Sequence, residues 1–220
     1  EGWRKSLQAY GKDAPVWHSE RSFSSRELGY SPRTVNTPVE YCDEPQFLIG
    51  TFKQKAEYLV RETLLDAVSG NGGRFFWFGL FDSTSFLTTR YFQPYGLDHT
   101  EYDGAPTPEL IAANGLARAL AGRSHPVRQL TLDDGTRCCV FTGEAGSVAA
   151  LWNWQAPGHL IINAGKARCT LRNFFGEPVP VQPNAQGEIT VELDSAPKYL
   201  SFDGLDGDDC YRVLEQAGLK

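Results

Sequence analysis

A glutamate that closes a short apolar run is the first residue of this chain placed to do chemistry. Ala14-Pro15-Val16-Trp17-His18-Ser19-Glu20 opens near a proline, carries two large apolar side chains and stops at a carboxylate. Val16 and Trp17 favour extended backbone, and proline is tolerated at the first residue of a strand. A buried strand that delivers an acid at its C-terminal end is how parallel-sheet α/β proteins place catalytic groups. Alternation along a regular strand puts Val16, His18 and Glu20 on one face, with Trp17 and Ser19 on the other. A second run, Phe75-Phe76-Trp77-Phe78-Gly79-Leu80-Phe81-Asp82, is apolar throughout and again ends in an acid. Such a run reads as a strand buried on both faces.

Each of these residues has a chemical and a structural reading. Glu20 is either a catalytic carboxylate or a strand-terminal glutamate in a surface ion pair. His18 either tunes Glu20 and touches a ligand, or is a satisfied interior histidine. Trp77 is either the flat wall on which a sugar ring stacks, or core among Phe75, Phe76 and Phe78. Asp82 is either a site acid or a solvated, helix-capping residue. Arg21 and Tyr30 lie on the polar stretch that follows Glu20.

The surrounding chain supplies elements in alternation. Trp3, Leu7 and Tyr10 recur at helical spacing, and Gly11 is placed to end that helix. Residues 21–43 form a long polar loop. From about Pro45 to Ser69 an apolar stripe of Phe52, Ala56, Leu59, Val60, Leu64, Ala67 and Val68 predicts a helix, stopped by Gly70-Asn71-Gly72-Gly73. After the second apolar run comes another long loop, 83–106, and then Thr107 as N-cap with Pro108 at the first helical position. Leu110, Ala113, Ala117 and Leu120 mark that helix's expected buried face, and Gly122 closes it. Helix, strand, helix, strand therefore repeats, and both strands deliver an acid at the same end.

Beyond Arg123 the pattern shortens to period two. Strands are expected at Arg128–Leu132, Arg137–Phe141, Val148–Trp154, His159–Ile162, Ala167–Leu171, Ile189–Leu193 and Lys198–Phe202. Asp134-Gly135, Pro157-Gly158 and Gln186-Gly187 supply turns between them. Seven short strands in about eighty residues are the signature of an antiparallel sandwich. The expected fold class is thus α/β plus all-β, divided as 1–122, 123–204 and a 205–220 tail with a short helix-like ending.

Composition removes several classes of function. With 21 basic against 27 acidic residues the net charge is −6, and no basic run occurs, which argues against nucleic acid or an anionic membrane surface as partner. No apolar run approaches the ~20 residues of a spanning helix, and no export signal is visible. The five cysteines lack any CxxC pair, so free thiols are expected. Cys138 and Cys139 read as packing. No HxH or HxxxH spacing occurs among four histidines, and the acidic stretch Asp203, Asp206, Asp208, Asp209 lacks the order of a calcium loop. A Gly-rich phosphate loop and a Gly-x-Ser-x-Gly elbow are also missing. No metal and no cofactor is expected. The chain has no methionine and begins inside a helical pattern, so it reads as a processed or partial chain.

Pro15-Val16-Trp17-His18-Ser19-Glu20 resembles the seventh strand of retaining (β/α)₈ glycoside hydrolases, a proline and bulky apolar pair followed by Thr/Ser-Glu. Phe76-Trp77-Phe78 followed by Asp82 resembles the eighth strand. Tyr95-Gly96-Leu97 and Tyr102-Asp103-Gly104-Ala105-Pro106-Thr107-Pro108 are similar to the segment before the eighth helix. Phe174-Phe175-Gly176-Glu177-Pro178-Val179 and Ala196-Pro197-Lys198-Tyr199-Leu200 resemble turns of the β-sandwich appended to such barrels. The resemblance is to the family 39 type, with β-xylosidases, α-iduronidases and exopolysaccharide hydrolases. It implies Glu20 as nucleophile, Trp77 as floor of the subsite beside the cleaved bond, and His18, Arg21, Tyr30 and Asp82 near the sugar.

The pattern departs from that family in one respect. A whole barrel takes eight strands and ~250 residues. Two strands are evident here, and the Asn-Glu acid/base of the fourth strand has no counterpart. Retaining hydrolysis places two carboxyl groups about 5–5.5 Å apart. The resemblance therefore implies the C-terminal portion of a hydrolase of poly- or oligosaccharides, inactive unless an upstream segment or another chain supplies the missing strands. Relatives acting on polysaccharides are often exported, which favours an extracellular or periplasmic site. Two rivals stand beside it. One is a carbohydrate-binding module in which Trp152, Trp154 and His159 are exposed on the sandwich; the other is an interaction domain whose α/β half packs on a partner.

Overall fold

Turn chemistry and period-two alternation dominate the last hundred residues, and they fold there into two antiparallel sheets. The computed structural model describes residues 2–11, 18–21, 52–69, 75–77, 98–99, 105–132 and 135–219. Its elements in chain order are α1 (Gly2–Ala9), β1 (His18–Arg21), α2 (Phe52–Val68), β2 (Phe75–Trp77), β3 (Asp98–His99), β4 (Ala105–Pro106) and α3 (Pro108–Leu120). There follow β5 (His125–Thr131), β6 (Thr136–Gly143), β7 (Gly146–Asn153), β8 (Gly158–Asn163), β9 (Arg168–Arg172) and β10 (Pro178–Val179). The chain ends with β11 (Glu188–Leu193), β12 (Lys198–Asp203), α4 (Gly207–Glu215) and β13 (Gly218–Leu219).

The chain divides into two compact units. One holds Glu1–Val16, Val60–Gly73 and Asn114–Lys220; the other holds Trp17–Leu59 and Arg74–Ala113.

In the first unit one sheet runs β10-β9-β12-β7-β6-β5 and the other β11-β8-β13. Every pairing in both is antiparallel. All seven expected strands are present, each within a few residues of its expected bounds. The added ones, β10 and β13, are two residues long and exist through their pairing with β9 and β8. The two sheets share one core, to which β7 gives Ala149 and Leu151, β8 gives Leu160 and Ile162, and β11 gives Ile189 and Val191. Helix α4 closes it with Cys210 and Leu214. Asp206 starts that helix by accepting a hydrogen bond from the Asp209 N–H at 2.8 Å. Asp209 in turn lies 2.9 Å from Arg212. The acidic stretch thus builds and stabilises a helix start, where negative charge is favoured.

Strand β7 is buried along both faces. Trp152, an exposed aromatic in the binding-module reading, is 1% exposed and belongs to this interior. The continuous apolar run Val148-Ala149-Ala150-Leu151-Trp152 is the cause, because such a run has no solvent face to offer.

Two turns of this region are copies of one device. Asn173-Phe174-Phe175-Gly176-Glu177 and Asn184-Ala185-Gln186-Gly187-Glu188 each carry a glycine at φ +83° or +79°, the region L side chains avoid. In each, the Asn Oδ1 accepts from two backbone N–H groups and its Nδ2 donates to the Glu carboxylate. The asparagine thereby satisfies donors that the chain reversal leaves without partners.

The buried face of α3 differs from expectation. Glu109, Ala112, Gly115, Leu116 and Ala119 are buried, whereas Leu110 and Ala113 are half-buried and Ala117 is exposed. Gly115 explains much of the shift. A Cβ there would lie 2.6 Å from the carbonyl carbon of Phe175 and 2.8 Å from its oxygen, so the helix backbone rests directly on the Asn173–Glu177 turn. In the same unit the Arg61 guanidinium donates to the Ser195 carbonyl at 3.2 Å.

A test of this contact has a sign that separates two effects. Alanine is about 1 kcal/mol better than glycine inside a helix, so propensity alone makes Gly115→Ala stabilising. Backbone on the far side cannot yield as a side chain does, and overpacking costs about 1–3 kcal/mol. Gly115→Ala is expected to destabilise the fold by up to about 2 kcal/mol in total, read as a lowered urea midpoint. An unchanged or raised midpoint would show that the contact is not tight.

Candidate functional site

Four of the residues singled out for chemistry, His18, Glu20, Arg21 and Trp77, fall on β1 and β2, within the unit formed by Trp17–Leu59 and Arg74–Ala113. The order β1, α2, β2 is a strand-helix-strand succession, followed after the short β3 and β4 by α3, and β1 pairs with β2 in parallel. Parallel neighbours need a crossover connection, and α2 lies on the connection between these two strands. Strand β1 runs through Glu20 to Arg21, one residue further than the apolar run indicates.

The register places His18 opposite Phe75 and Arg21 opposite Trp77, with a shift between them. Three steps along β1 therefore match two along β2. Glu20 lies inside this irregular interval, next to the Arg21–Trp77 pair. Extra residues of this kind bend a strand and re-aim a side chain, and they are over-represented beside active sites. The structure thus brings His18, Glu20, Arg21 and Trp77 into one small parallel sheet. Tyr30 and Asp82 lie outside the described residues, as do Pro15-Val16-Trp17 and most of both long loops. Within the second loop, Asp98–His99 and Ala105–Pro106 form a short antiparallel pair.

The same unit holds a charged cluster that sequence patterning did not reveal. Lys55 on α2 and Glu109 on α3 approach to 3.4 Å with side chains 1% and 0% exposed. Glu57, also buried, lies 3.4 Å from the exposed Lys53. Both Glu109 oxygens are buried and accept no hydrogen bond among the described residues. The pair neutralises charge where water cannot reach it, and Glu109 stands in the first turn of its helix, where the dipole favours an anion. A lysine or glutamate in an amphipathic helix ordinarily reads as its solvated face, so no local signal marks this pair.

Among the described residues the thiols are buried or half-buried. Cys138, Cys139, Cys169 and Cys210 are free. Burial raises the pKa of Cys139 and Cys210 to about 12. Among the described residues no group of three or more His, Cys, Asp or Glu side chains is placed to hold a metal ion. No helix among them is long and apolar enough to cross a membrane.

These features define a mixed helix-and-sheet chain: a parallel strand pair linked through a helix, and two antiparallel sheets. No family model matches the chain, and no curated protein matches it. Solved structures do. A family 39 glycoside hydrolase from the gut symbiont Bacteroides cellulosilyticus WH2 superposes on 91% of this chain with a TM-score of 0.61 and 18% identity. A family 30 endoxylanase from Clostridium papyrosolvens C71 superposes on 91% with a TM-score of 0.51 and 14% identity. The chain spans 36% of the first and 44% of the second. At such identities the likeness is one of fold alone.

Proposed function

We propose that this chain is the C-terminal part of a retaining glycoside hydrolase of family 39 type, comprising the last two βα units of a (β/α)₈ barrel and a β-sandwich. The observation that supports this most is the parallel pairing of the Glu20 strand with the Trp77 strand, with a register shift between His18 and Arg21. Likeness of fold to glycoside hydrolases over 91% of the chain supports it from a separate direction.

In this reading Glu20 attacks the anomeric carbon and holds the sugar as a glycosyl ester until water releases it. Trp77 forms the floor under the ring. His18, Arg21, Tyr30 and Asp82 bind and orient the sugar hydroxyls. A second carboxyl, on a strand outside this chain, protonates the leaving oxygen and then activates the water, as the two-carboxylate mechanism requires. The substrate is a poly- or oligosaccharide, no cofactor takes part, and the protein works outside the cell or in the periplasm.

A mechanism-based fluorosugar tests the nucleophile directly. Incubated with the protein that carries the remaining strands, it is expected to add one sugar mass to the peptide containing Glu20. The Glu20→Gln variant is expected to remain unlabelled and to lose turnover of aryl β-glycosides, and the 220-residue chain alone to show no turnover. Labelling of another residue, or normal turnover by Glu20→Gln, removes the assignment.

A further inference from the structure

Trp154 is 56% exposed, on a connection whose four residues Trp154-Gln155-Ala156-Pro157 all face solvent. This exposure sits on a rigid base. Asn153 beneath it is buried, and its Oδ1 accepts from the Gln155 N–H at 2.9 Å and the Ala156 N–H at 3.2 Å. The Asn153 Nδ2 donates to Thr136 Oγ1, and its backbone N–H donates to the Asp194 carbonyl. Gly135, at φ +87°, leaves room for the Gln155 side chain, which a Cβ would meet at 2.7 Å. The backbone that carries the indole is thus held in place before anything binds, which reduces the entropy lost on binding.

We propose that Trp154 is the platform of a second carbohydrate site, one that holds a neutral polysaccharide chain and takes no part in cleavage. The choice of a glycan rests on the glycosidase reading above; the location rests on the turn itself. Size argues against a protein partner. The exposed apolar surface of the connection is one indole with Ala156 and Pro157, far less than the ~800 Å² per side that a stable protein interface buries. One indole face does match one pyranose ring, whose C–H edges are drawn to the negative face of the aromatic system. The Gln155 amide beside the ring offers donors and an acceptor to equatorial hydroxyls. Exposed His159 follows on β8, in register with Glu192 of β11. That carboxylate, on a chain of net charge −6, disfavours acidic glycans and leaves neutral ones.

Affinity electrophoresis of the 220-residue chain through gels containing xylan, mixed-linkage β-glucan or galactomannan tests this. Wild type is expected to be retarded by at least one of the three. Trp154→Ala is expected to bind that polysaccharide about tenfold more weakly or not at all, with an unchanged circular-dichroism melting curve. Trp154→Phe is expected to recover part of the retardation, and Gln155→Ala to weaken it without touching the backbone turn. Unretarded wild type in all three gels, or equal retardation of wild type and Trp154→Ala, overturns the site. The two readings fail separately. Fluorosugar labelling of Glu20 without retardation removes the Trp154 site alone, whereas retardation without labelling leaves it standing.

Discussion

Raising the pH from 8 to 11 is expected to unfold the two-sheet part of the molecule, because three buried thiols refuse to ionise there. Burial raises Cys138 well above its ordinary value of 9.0, with smaller contributions from neighbouring Cys139 and Cys210. Burial likewise takes Cys139 and Cys210 to about 12. A folded-state value raised above the unfolded one means that the stabilisation is complete below pH 9 and is lost as pH climbs towards 12. In that window the unfolded chain releases three protons that the folded chain keeps. Each contributes about 1.4 kcal/mol per pH unit, so the sum is on the order of 4 kcal/mol per unit. Two pH units remove on the order of 8 kcal/mol, comparable to the whole stability of an ordinary domain. Tyr199, also raised by burial, adds to the loss above pH 10. Cys169 is half-buried and is left out of the sum, since solvent screens it. Urea midpoints followed by circular dichroism under reducing conditions check this. They are expected to be level to about pH 8.5 and to fall steeply beyond it, with a shallower fall in Cys139→Val. A midpoint unchanged between about pH 8 and 10.5 would contradict the buried, protonated state of these thiols.

Those thiols also show where sequence patterning succeeds and where it stops. All seven strands expected after residue 123 are found, because alternation and turn residues are local signals. Asn173 and Asn184 illustrate how local: each reads its own turn through hydrogen bonds spanning four residues. The misplaced face of α3 has the opposite origin. Its position is set by Gly115 lying on Phe175, about sixty residues further along, and by Glu109 meeting Lys55. Counting apolar residues cannot register a glycine that packs by having no side chain, or a charge that is buried with its partner. Trp152 was legible in principle, since the doubly buried reading given to Phe75–Phe78 applies equally to Val148–Trp152. At the candidate site, the parallel pairing of the two acid-bearing runs follows from the strand-helix-strand order. The register shift between His18 and Arg21 does not, because it depends on how β2 meets β1 across space.

Lys55→Met is expected to cost about 3–5 kcal/mol, several times the ~0.5 kcal/mol of an ordinary surface substitution. Removing one partner of a buried ion pair leaves the other charge without compensation in a medium that solvates it poorly. Glu109 is the charge left behind, fully buried, with neither carboxylate oxygen accepting a hydrogen bond among the described residues. Methionine keeps the volume of the lysine stem, so the loss reads charge rather than a cavity. The double variant Lys55→Met/Glu109→Leu removes both charges at similar volume, and such replacements are often neutral or stabilising by about 1–4 kcal/mol. Its urea midpoint is therefore expected to return near wild type or above it. That non-additivity is the signature sought, because two independent packing defects would sum. A double variant as unstable as the sum of its parts would mean that Lys55 and Glu109 hold α2 and α3 through separate contacts. Because β1 and β2 lie in the same compact unit as this pair, the measurement also bears on the scaffold that carries Glu20. If the single variant weakens that unit while the double restores it, charge neutrality between the two helices is what the scaffold requires.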